Sequence, residues 1–453
     1  MVSRVTDPAR NLQRGRTRSA DDLSRVISRA SEPLPDVLSS DFGAVFDRFG
    51  TARVVLLGEA THGTAEFYLA RAAITRRLIE EHGFNIVAVE ADWPDAARID
   101  AYVRHFEPRP NREQAFARFP QWMWRNTQFA EFVDWLRAHN RDVNQKQRVA
   151  FRGLDIYSLN ASITAVLEYL DHRDPARAAE ARERYACLTP WQEPASYGHR
   201  AMFGEDNCEQ EVVAQLRELL ARRLVYLQED GEEFFNAAQN ARVVRSAEQY
   251  YRMMYRSSVE SWNLRDRHMF DTLQMLLKEG TRERGGPEPK AVVWAHNSHI
   301  GNAAATAMGW QGEFNIGELC RKAYGDDSVL IGFGTDRGTV AAASDWDAPM
   351  EVKNVRPARH DSYEHAFREA GISSSLTDWR SSDSLLSQDL SDSLLERAIG
   401  VIYRPETELQ SHYFECVLSE QFDAWIWFEE TTAVTPLPAG HGAGAPETYP
   451  FGV

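Results

Sequence analysis

A histidine and a glutamate lie three residues apart in a short turn near the start of the chain. The segment Gly58-Glu-Ala-Thr-His-Gly63 follows an apolar run and precedes a helical pattern, so Glu59 and His62 share one sharp bend. An imidazole whose pKa is near neutrality can take a proton from water, and a nearby carboxylate orients the ring and stabilises its protonated form. The turn therefore predicts a general base. His62 could instead cap the following helix or pack against Trp93.

Carboxylates follow two further apolar runs. Glu90 and Asp92 come directly after Ile86-Val-Ala-Val89, and Asp155 follows the run that begins at Arg148. A carboxylate at the end of a buried run needs a partner, because burying an unpaired charge is costly. Arg71 could supply that partner for Glu90, or it could bind a substrate anion. Asp155 could also cap a helix, as aspartates after strands often do.

Two more histidines follow a fourth apolar run, in Trp294-Ala-His-Asn-Ser-His299. Across a turn, His296 and His299 can face one cavity, where one could give a proton to a leaving group while the other positions it. The alternative, a buried histidine with satisfied hydrogen bonds, applies more to His299 than to His296.

Three other side chains are candidates for substrate contact. Trp124 lies in the aromatic segment 119–126, which could form core or wall an apolar pocket. Arg404 and His412 follow a late apolar run and could line the rim of the same cleft.

The elements that must position these residues alternate between strands and helices. Apolar or β-branched runs predict strands at 54–58, 85–90, 148–155, 291–296, 328–333, 399–403 and 424–428, and a 3.6-residue period predicts a helix over 65–81. The first four runs are apolar throughout, which is typical of strands covered on both faces of a mostly parallel sheet. We therefore expect an α/β fold with helices on both sides of the sheet. In such sheets ligands bind outside the carboxyl ends of the strands, where the candidate residues lie.

The domain organisation follows from the same patterns. We expect a loose lead-in over residues 1–35, with one short helix at 21–29, and an α/β domain over 36–435. A helical insertion at about 205–280 would cover the cleft, and residues 436–453 would form a mobile tail.

Composition excludes several classes of protein. The 453 residues carry 51 Lys and Arg against 67 Asp and Glu, a formal net charge of −16, which argues against nucleic acid and anionic membranes as partners. The four cysteines have no metal-finger spacing and predict reduced thiols rather than a disulfide framework. There is no secretory signal pattern behind the N-terminal arginines and no apolar run of about 20 residues, so we expect a cytoplasmic protein.

Several catalytic motifs are absent from the chain. Without a Gly-x-Ser-x-Gly elbow a serine nucleophile is disfavoured, and without Gly-rich phosphate loops we expect no nucleotide cofactor. No His-Glu-x-x-His pair occurs. The expectation is a site without metal, with a metal site on the several carboxylates and histidines as the alternative.

The order and spacing of these motifs resemble the erythromycin esterase family. The resemblance is carried by the segments 58–63, 87–93, 119–126, 153–157, 265–269 and 293–300, and it extends from about residue 40 to 435. Within the family, the chain is similar to a broad branch in which the segments around Trp124 and Arg404 recur. Some members of that branch carry a fused phosphoribosyltransferase domain, which we do not expect here because the chain lacks its phosphate-binding loop.

The resemblance implies a metal-independent hydrolase that opens the lactone of 14-membered macrolides, the reaction of antibiotic-resistance enzymes in this family. The family's general base falls on His62, with Glu59 beside it. Its arginine falls on Arg71, its second glutamate on Glu90, and its later histidine pair on His296 and His299.

The hypothesis that follows is a hydrolase of carboxylic esters or lactones, in which His62, assisted by Glu59 or Glu90, activates water without an acyl-enzyme. His296 would stabilise or protonate the leaving alkoxide, and Arg71 would hold the carboxylates. His299, Asp92, Asp155, Trp124, Arg404 and His412 would contact substrate. The alternatives are a small-molecule binding protein or group-transfer enzyme on the same fold, and a metal-dependent hydrolase. The only partner expected is a small ester or lactone, and a monomer is plausible.

Overall fold

The computed structural model describes residues 20–107, 110–116, 122–188, 194–202, 208–279, 288–345, 348–380 and 385–438. The strands in this part of the chain are β1 (Glu32–Pro33), β2 (Val54–Leu57), β3 (Ile86–Asp92), β4 (Ala150–Asp155), β5 (Ala291–Trp294), β6 (Ser328–Ala342), β7 (Glu351–Val355), β8 (Ser374–Asp378), β9 (Leu394–Arg397), β10 (Tyr413–Cys416) and β11 (Ala424–Thr431).

The helices of the first half are α1 (Ala20–Ala30), α2 (Ser40–Ala44), α3 (Ala65–His82), α4 (Trp93–Val103), α5 (Arg112–Ala115), α6 (Thr127–Arg141), α7 (Leu159–Arg173), α8 (Pro175–Tyr185), α9 (Pro194–Met202), α10 (Glu209–Ala221) and α11 (Arg223–Met253). Those that follow are α12 (Ser258–Glu279), α13 (Asn297–Ile300), α14 (Ala307–Trp310), α15 (Ile316–Tyr324), α16 (Tyr363–Glu369), α17 (Leu385–Asp389), α18 (Glu408–Ser411) and α19 (Leu418–Gln421).

Nine of the described strands form one sheet in the order β1-β8-β11-β6-β2-β5-β3-β4, with β7 paired to β6, while β9 and β10 form a separate ribbon. The pairs from β11 through to β4 are parallel, and β1, β7 and β8 are antiparallel to their neighbours. The expected α/β fold with a mostly parallel sheet is confirmed. The carboxyl ends of β2, β5, β3 and β4 lie side by side at one edge.

The strand sequences are apolar throughout because the sheet is covered on both faces. Along β2, Val55 and Leu57 pack into one hydrophobic cluster while Val54 and Leu56 pack into another. All four side chains are fully buried. Since neighbouring side chains on a strand point to opposite faces, an apolar residue at each position is what two covered faces require.

A helical unit with its own hydrophobic core follows β4. Its buried cluster runs from Ile156 to Met254 and joins α7, α8, α10 and α11. The unit therefore begins with α7 rather than at about residue 205, and the boundary expected from the sequence was too late. The helical pattern is interrupted at Asp174 and Pro175, where α8 starts with proline at its first position. Because of this interruption, the sequence periodicity did not show that α7 and α8 belong to the same unit as the later helices.

Other expectations need correction. Residues 399–403 contribute isolated bridges from Ile399 and Ile402 rather than a strand, and the strand lies just before them, at β9. The expected helix at 21–29 exists as α1, but Ile27 is fully buried, so this end of the 1–35 segment packs on the core rather than forming a loose lead-in. Residues 1–19 and 439–453 lie outside the described residues.

Two further observations bear on the expected environment of the protein. Cys187 and Cys208 are joined as a disulfide, where the sequence predicted reduced thiols, while Cys320 and Cys416 are free and buried. Among the described helices, none has the length and apolarity required to cross a bilayer.

Candidate active site

Four neighbouring strands each deliver a polar side chain to the same edge of the sheet. Glu59 follows β2, His296 follows β5, Glu90 lies near the end of β3 and Asp155 ends β4. All four are buried. The parallel topology brings together residues that are up to 237 positions apart in the sequence, as the strand-end argument predicted.

The turn that carries Glu59 and His62 is packed too tightly for side chains at its glycines. A Cβ on Gly63 would lie 1.9 Å from the Ala341 carbonyl oxygen, and one on Gly58 would lie 2.1 Å from Oδ1 of Asn297. Both distances are far below contact range, so only glycine allows the turn to lie against β6 and the His296 turn.

The Glu59 carboxylate holds His62 in one orientation. Nδ1 of His62 lies 2.8 Å from Oε1 of Glu59, and both residues are almost completely buried. Because a carboxylate only accepts hydrogen bonds, the proton of a neutral ring lies on Nδ1. The lone pair is then on Nε2, for which the described residues provide no hydrogen-bond partner. This is the arrangement of a general base.

Arg71 completes this side of the site. Its Nη2 lies 2.6 Å from Oε2 of Glu59, and its guanidinium lies over the rings of Tyr68 and Trp294 at 4.5 and 5.0 Å. The side chain is fully buried, yet none of its nitrogens makes a well-aligned hydrogen bond within the described residues. The sequence analysis offered Arg71 as the partner of Glu90. That pairing is wrong, because Arg71 pairs with Glu59.

His296 has the opposite polarity to His62. The Ser298 backbone N–H donates to its Nδ1 at 3.2 Å, so the proton of a neutral ring lies on Nε2. Burial, and then the nearby His62, lower the pKa of His296 to about 3, and the Ala60 backbone opposes part of this shift. Nε2 is buried and has no well-aligned hydrogen-bond partner among the described residues. The ring centres of the two histidines are 5.1 Å apart.

Glu90 is the centre of a second, fully paired network. Its Oε1 accepts from Nη2 of Arg265 at 2.7 Å, and its Oε2 accepts from the His296 backbone N–H at 2.9 Å. Burial alone would raise the pKa of Glu90, but His299 and Arg265 together hold that pKa well below its usual range. Arg265 also binds Asp155 through two hydrogen bonds, at 2.7 and 3.0 Å. Asp155 is therefore engaged in an ion pair instead of capping a helix.

His299 is enclosed on all sides. Its Nδ1 lies 3.0 Å from each carboxylate oxygen of Asp266, its Nε2 lies 3.3 Å from Oε1 of Glu90, and its ring stacks on Trp262 at 4.5 Å. Burial lowers the pKa of His299, but Asp266 and Glu90 outweigh that effect and raise it to about 9. Nη1 of Arg265 also lies 3.0 Å from Nε2, so His299 packs between two carboxylates and a guanidinium, and its contacts hold Glu90 in position.

Asp92 lies beside this network, but none of its hydrogen bonds comes from a basic side chain. It accepts from the Ser158 hydroxyl at 2.7 Å and from the Tyr157 backbone N–H at 3.0 Å. Burial and then the charge of Asp155 raise the pKa of Asp92 to about 8. These bonds join the end of β3 to the start of α7, where the helical unit begins.

The three remaining residues predicted to contact substrate lie in different parts of the structure. Trp124 is buried, donates from Nε1 to the Glu90 carbonyl at 3.1 Å and packs on Tyr68, so it belongs to the core under the site. Arg404 is half exposed and binds the Ser344 carbonyl and Asp345. His412 packs against Tyr403 at 5.4 Å between ring centres. The structure does not bring Arg404 or His412 to the histidines, and their contact with substrate stays a prediction.

Sequence reasoning gave no role to Arg265, Asp266 or Asn297, although all three contact the predicted residues. Arg265 and Asp266 lie on α12, more than 100 residues from Glu90 and Asp155 along the chain. The available signal was the polar run from Arg265 to His268 inside an otherwise amphipathic helix. Among the described residues, no three His, Cys, Asp or Glu side chains converge in the arrangement of a metal site.

A family model described as erythromycin esterase matches residues 79–431. The chain belongs to the erythromycin esterase family. The matched segment includes Glu90, Arg265 and both histidines of the 296–299 turn, while Glu59 and His62 lie before its first residue.

The chain is also similar to one curated protein and to two solved structures. Erythromycin esterase type II from Escherichia coli is 24% identical over 377 residues, which is 76% of this chain and 85% of that protein. A crystal structure described as a succinoglycan biosynthesis protein has a TM-score of 0.75 at 20% identity, covering 92% of this chain and 98% of the other. A histidine variant of the erythromycin esterase EreC in its open conformation has a TM-score of 0.65 at 19% identity, covering 90% and 99%. Membership of the erythromycin esterase family supports a hydrolase, and the solved structures support the α/β fold.

Proposed function

We propose that this erythromycin esterase family member hydrolyses a carboxylic ester or a lactone, with macrolide ring opening as the first reaction to test. The observation that carries the proposal is the opposed polarity of two facing imidazoles. His62 presents an acceptor at Nε2 because Glu59 binds its Nδ1, and His296 presents a donor at Nε2 because Ser298 binds its Nδ1. A base and an oxyanion donor facing each other suit the attack of water on a carbonyl.

In the proposed reaction, Nε2 of His62 takes a proton from a water molecule as the water oxygen attacks the ester carbon. Glu59 stabilises the imidazolium that forms, as a carboxylate does for a catalytic histidine. The negative charge that develops on the carbonyl oxygen is stabilised by the Nε2–H of His296. As the tetrahedral intermediate breaks down, protonated His62 returns its proton to the leaving alkoxide, so that the acid and the alcohol form together.

Arg71 supports the charge balance of this step. Its guanidinium is fully buried and pairs with the Glu59 carboxylate, so the buried negative charge beside His62 has a positive partner. The unaligned N–H groups of Arg71 are also available to a bound carbonyl or carboxylate, since buried donors normally find partners. The sequence hypothesis left Glu90 as an alternative to Glu59 in assisting His62. Both oxygens of Glu90 are bonded to Arg265 and the His296 backbone, so we assign it a positioning role.

The test is a mass-spectrometric turnover screen of the wild type and His62→Ala against 14-membered macrolides, simple lactones and simple esters. The expected result is a mass gain of one water on a macrolide or lactone, or cleavage of a simple ester into its acid and alcohol, lost in the variant and retained after chelation with EDTA. Turnover of simple esters alone would keep the chemistry and remove the macrolide. Failure to hydrolyse any member of the panel, or full activity in His62→Ala, would overturn the proposal.

The absence of an acyl-enzyme is tested by single turnover in oxygen-18 water. Direct attack by water puts one labelled oxygen in the acid product. Attack by Glu59 would form a mixed anhydride, and an unlabelled enzyme oxygen would pass to the product in the first turnover when water opens that anhydride at the Glu59 carbon. Quenched samples analysed by intact mass should show no acylated chain. A trapped acyl adduct would contradict the mechanism.

A cytoplasmic location is part of the proposal, and the Cys187–Cys208 disulfide argues against it. Cells are alkylated rapidly before lysis, and the intact mass of the denatured protein then gives the number of cysteines that were free thiols, which distinguishes a reducing from an oxidising compartment. Four free thiols would support a reducing compartment, and two would contradict it.

A further inference from the structure

Asn297 links the two turns that carry the histidines. Its backbone N–H donates to the Glu59 carbonyl at 2.9 Å, and its side chain bridges β6 by donating to the Phe333 carbonyl at 2.8 Å and accepting from the Phe333 N–H at 3.2 Å. The residue is fully buried. A Cβ on Gly58 would lie 2.1 Å from Oδ1 of Asn297, so the amide packs closely against the end of β2. The side chain therefore links the ends of β2, β5 and β6.

The second proton of the Asn297 amide goes to a buried carboxyl group from outside the sheet. Nδ2 of Asn297 donates to Oε1 of Glu396 on β9 at 2.9 Å, and Glu396 is fully buried. The Cys416 thiol lies 3.6 Å from the other oxygen, Oε2. Glu396 thus connects the β9–β10 ribbon to the residue between His296 and Ser298.

We propose that Glu396 is a positioning residue, which acts through Asn297 to hold the His296 turn against the Glu59–His62 turn. The inference rests on the proposed function, because the separation that it fixes matters for catalysis only if the two histidines work together. Displacements of about 1 Å between catalytic groups can reduce a rate by about 100-fold. A side chain that touches neither histidine can therefore control the rate.

Glu396 has a carboxylate, a thiol and an amide as neighbours; the carboxylate favours its uncharged form, and the hydrogen bonds from the other two oppose that effect. Glu364 on α16 is a second buried carboxylate, Cys416 on β10 is a buried thiol, and Gln421 on α19 contributes a hydrogen bond. The neighbouring Arg397 donates from its guanidinium to Glu408 and to three backbone carbonyls, and none of these bonds reaches Glu396. Burial, and then Glu364, raise the pKa of Glu396 to about 8.

The experiment compares Glu396→Gln with Glu396→Ala. Glutamine keeps an acceptor for Asn297 and stays uncharged, so kcat should remain within about threefold of the wild type. Any decrease in kcat above pH 8 that the ionisation of Glu396 causes in the wild type should be absent from Glu396→Gln. Alanine removes the acceptor, so kcat should decrease by about 10- to 100-fold with KM nearly unchanged. The assay is hydrolysis of p-nitrophenyl butyrate and erythromycin from pH 6 to 10, with thermal unfolding measured in parallel.

Glu408→Gln is the matched control, because Glu408 is an equally buried carboxylate that binds Arg397 and Tyr403 rather than Asn297. It should lower the unfolding temperature without changing the pH profile. If Glu396→Ala keeps wild-type kcat, or Glu396→Gln loses as much activity as Glu396→Ala, the positioning role is refuted.

An NMR measurement separates this inference from the proposed function. In protein labelled with carbon-13 at the histidine Cε1, Glu396→Ala should shift the ring signals of His62 and His296, identified by single substitution, and Glu408→Gln should not. If the wild type hydrolyses neither substrate, the turnover screen decides the proposed function and the NMR comparison still decides the positioning role. Unchanged signals in Glu396→Ala would overturn that role whatever the activity.

Discussion

Replacing His296 and His299 with leucine separates two histidines that are three residues apart. Both side chains are buried, and leucine has a volume close to that of histidine, so neither change opens a large cavity. The difference lies in the polar groups that each substitution leaves without partners.

For His296→Leu, the structure predicts a large loss of activity and a moderate loss of stability. The variant loses the unpartnered Nε2–H donor, and the loss of one oxyanion donor typically costs about 100- to 1,000-fold in kcat. It also leaves the buried Ser298 N–H without its acceptor, which costs about 1–3 kcal/mol in unfolding free energy. The Glu90 network does not depend on the His296 ring, because the bond to Glu90 comes from the backbone N–H.

For His299→Leu, the stability loss should be larger. The substitution removes the cation between Asp266 and Glu90 and leaves Asp266 buried without its partner, which costs about 3–5 kcal/mol. Urea unfolding followed by tryptophan fluorescence gives the stability difference, and initial rates on whichever ester the turnover screen identifies give the activity. If His296→Leu keeps kcat within about fivefold of the wild type while folded, the oxyanion role of His296 is wrong.

Three other predictions follow from the site. His62→Ala should abolish turnover while leaving the circular dichroism spectrum unchanged, because no described group depends on Nε2 of His62; residual activity near that of the wild type would remove it as the base. His299 has a folded pKa of about 9, above its unfolded value of 6.5, so its stabilisation is complete below pH 6.5 and is lost as the pH rises through 9. Urea titrations of the wild type should therefore show decreasing stability between pH 6.5 and 9, with a smaller slope in His299→Leu. The folded pKa of Asp92 is raised from 3.8 to about 8, so the wild type loses stability as the pH rises through that range. Asp92→Asn should therefore become more stable relative to the wild type as the pH rises. A stability difference that does not depend on pH would contradict this prediction.

The strands of the central sheet were predictable because burial on both faces leaves a continuous apolar run. The runs at Val54, Ile86 and Ala291 became β2, β3 and β5, and the helix expected at 65–81 became α3. The run at Ile399 failed because the same composition serves a buried loop that makes single bridges to Thr61 and Ala343. Local pattern does not distinguish a strand from a buried connection of similar apolarity.

The candidate site was predictable to the extent that strand ends must meet. Glu59, His62, Glu90 and His296 come together as expected, because parallel strands place their carboxyl ends at one edge. The partner of Glu90 was not predictable. Arg265 lies on α12, which follows the helical unit in the chain, and helix spacing alone does not specify which strand end it reaches.

The sequence by itself therefore determined the types of chemical group and their strand-end positions, since these follow from hydrophobic pattern and connection rules that act over short distances. Only the tertiary structure decided which side chains pair with each other and which ring nitrogen carries the proton. It set the proton of His62 on Nδ1 and that of His296 on Nε2, paired Arg71 with Glu59, and enclosed His299 between Asp266 and Glu90. The physical reason is that tautomers, ion pairs and pKa shifts depend on distances of a few ångströms between residues far apart in the chain.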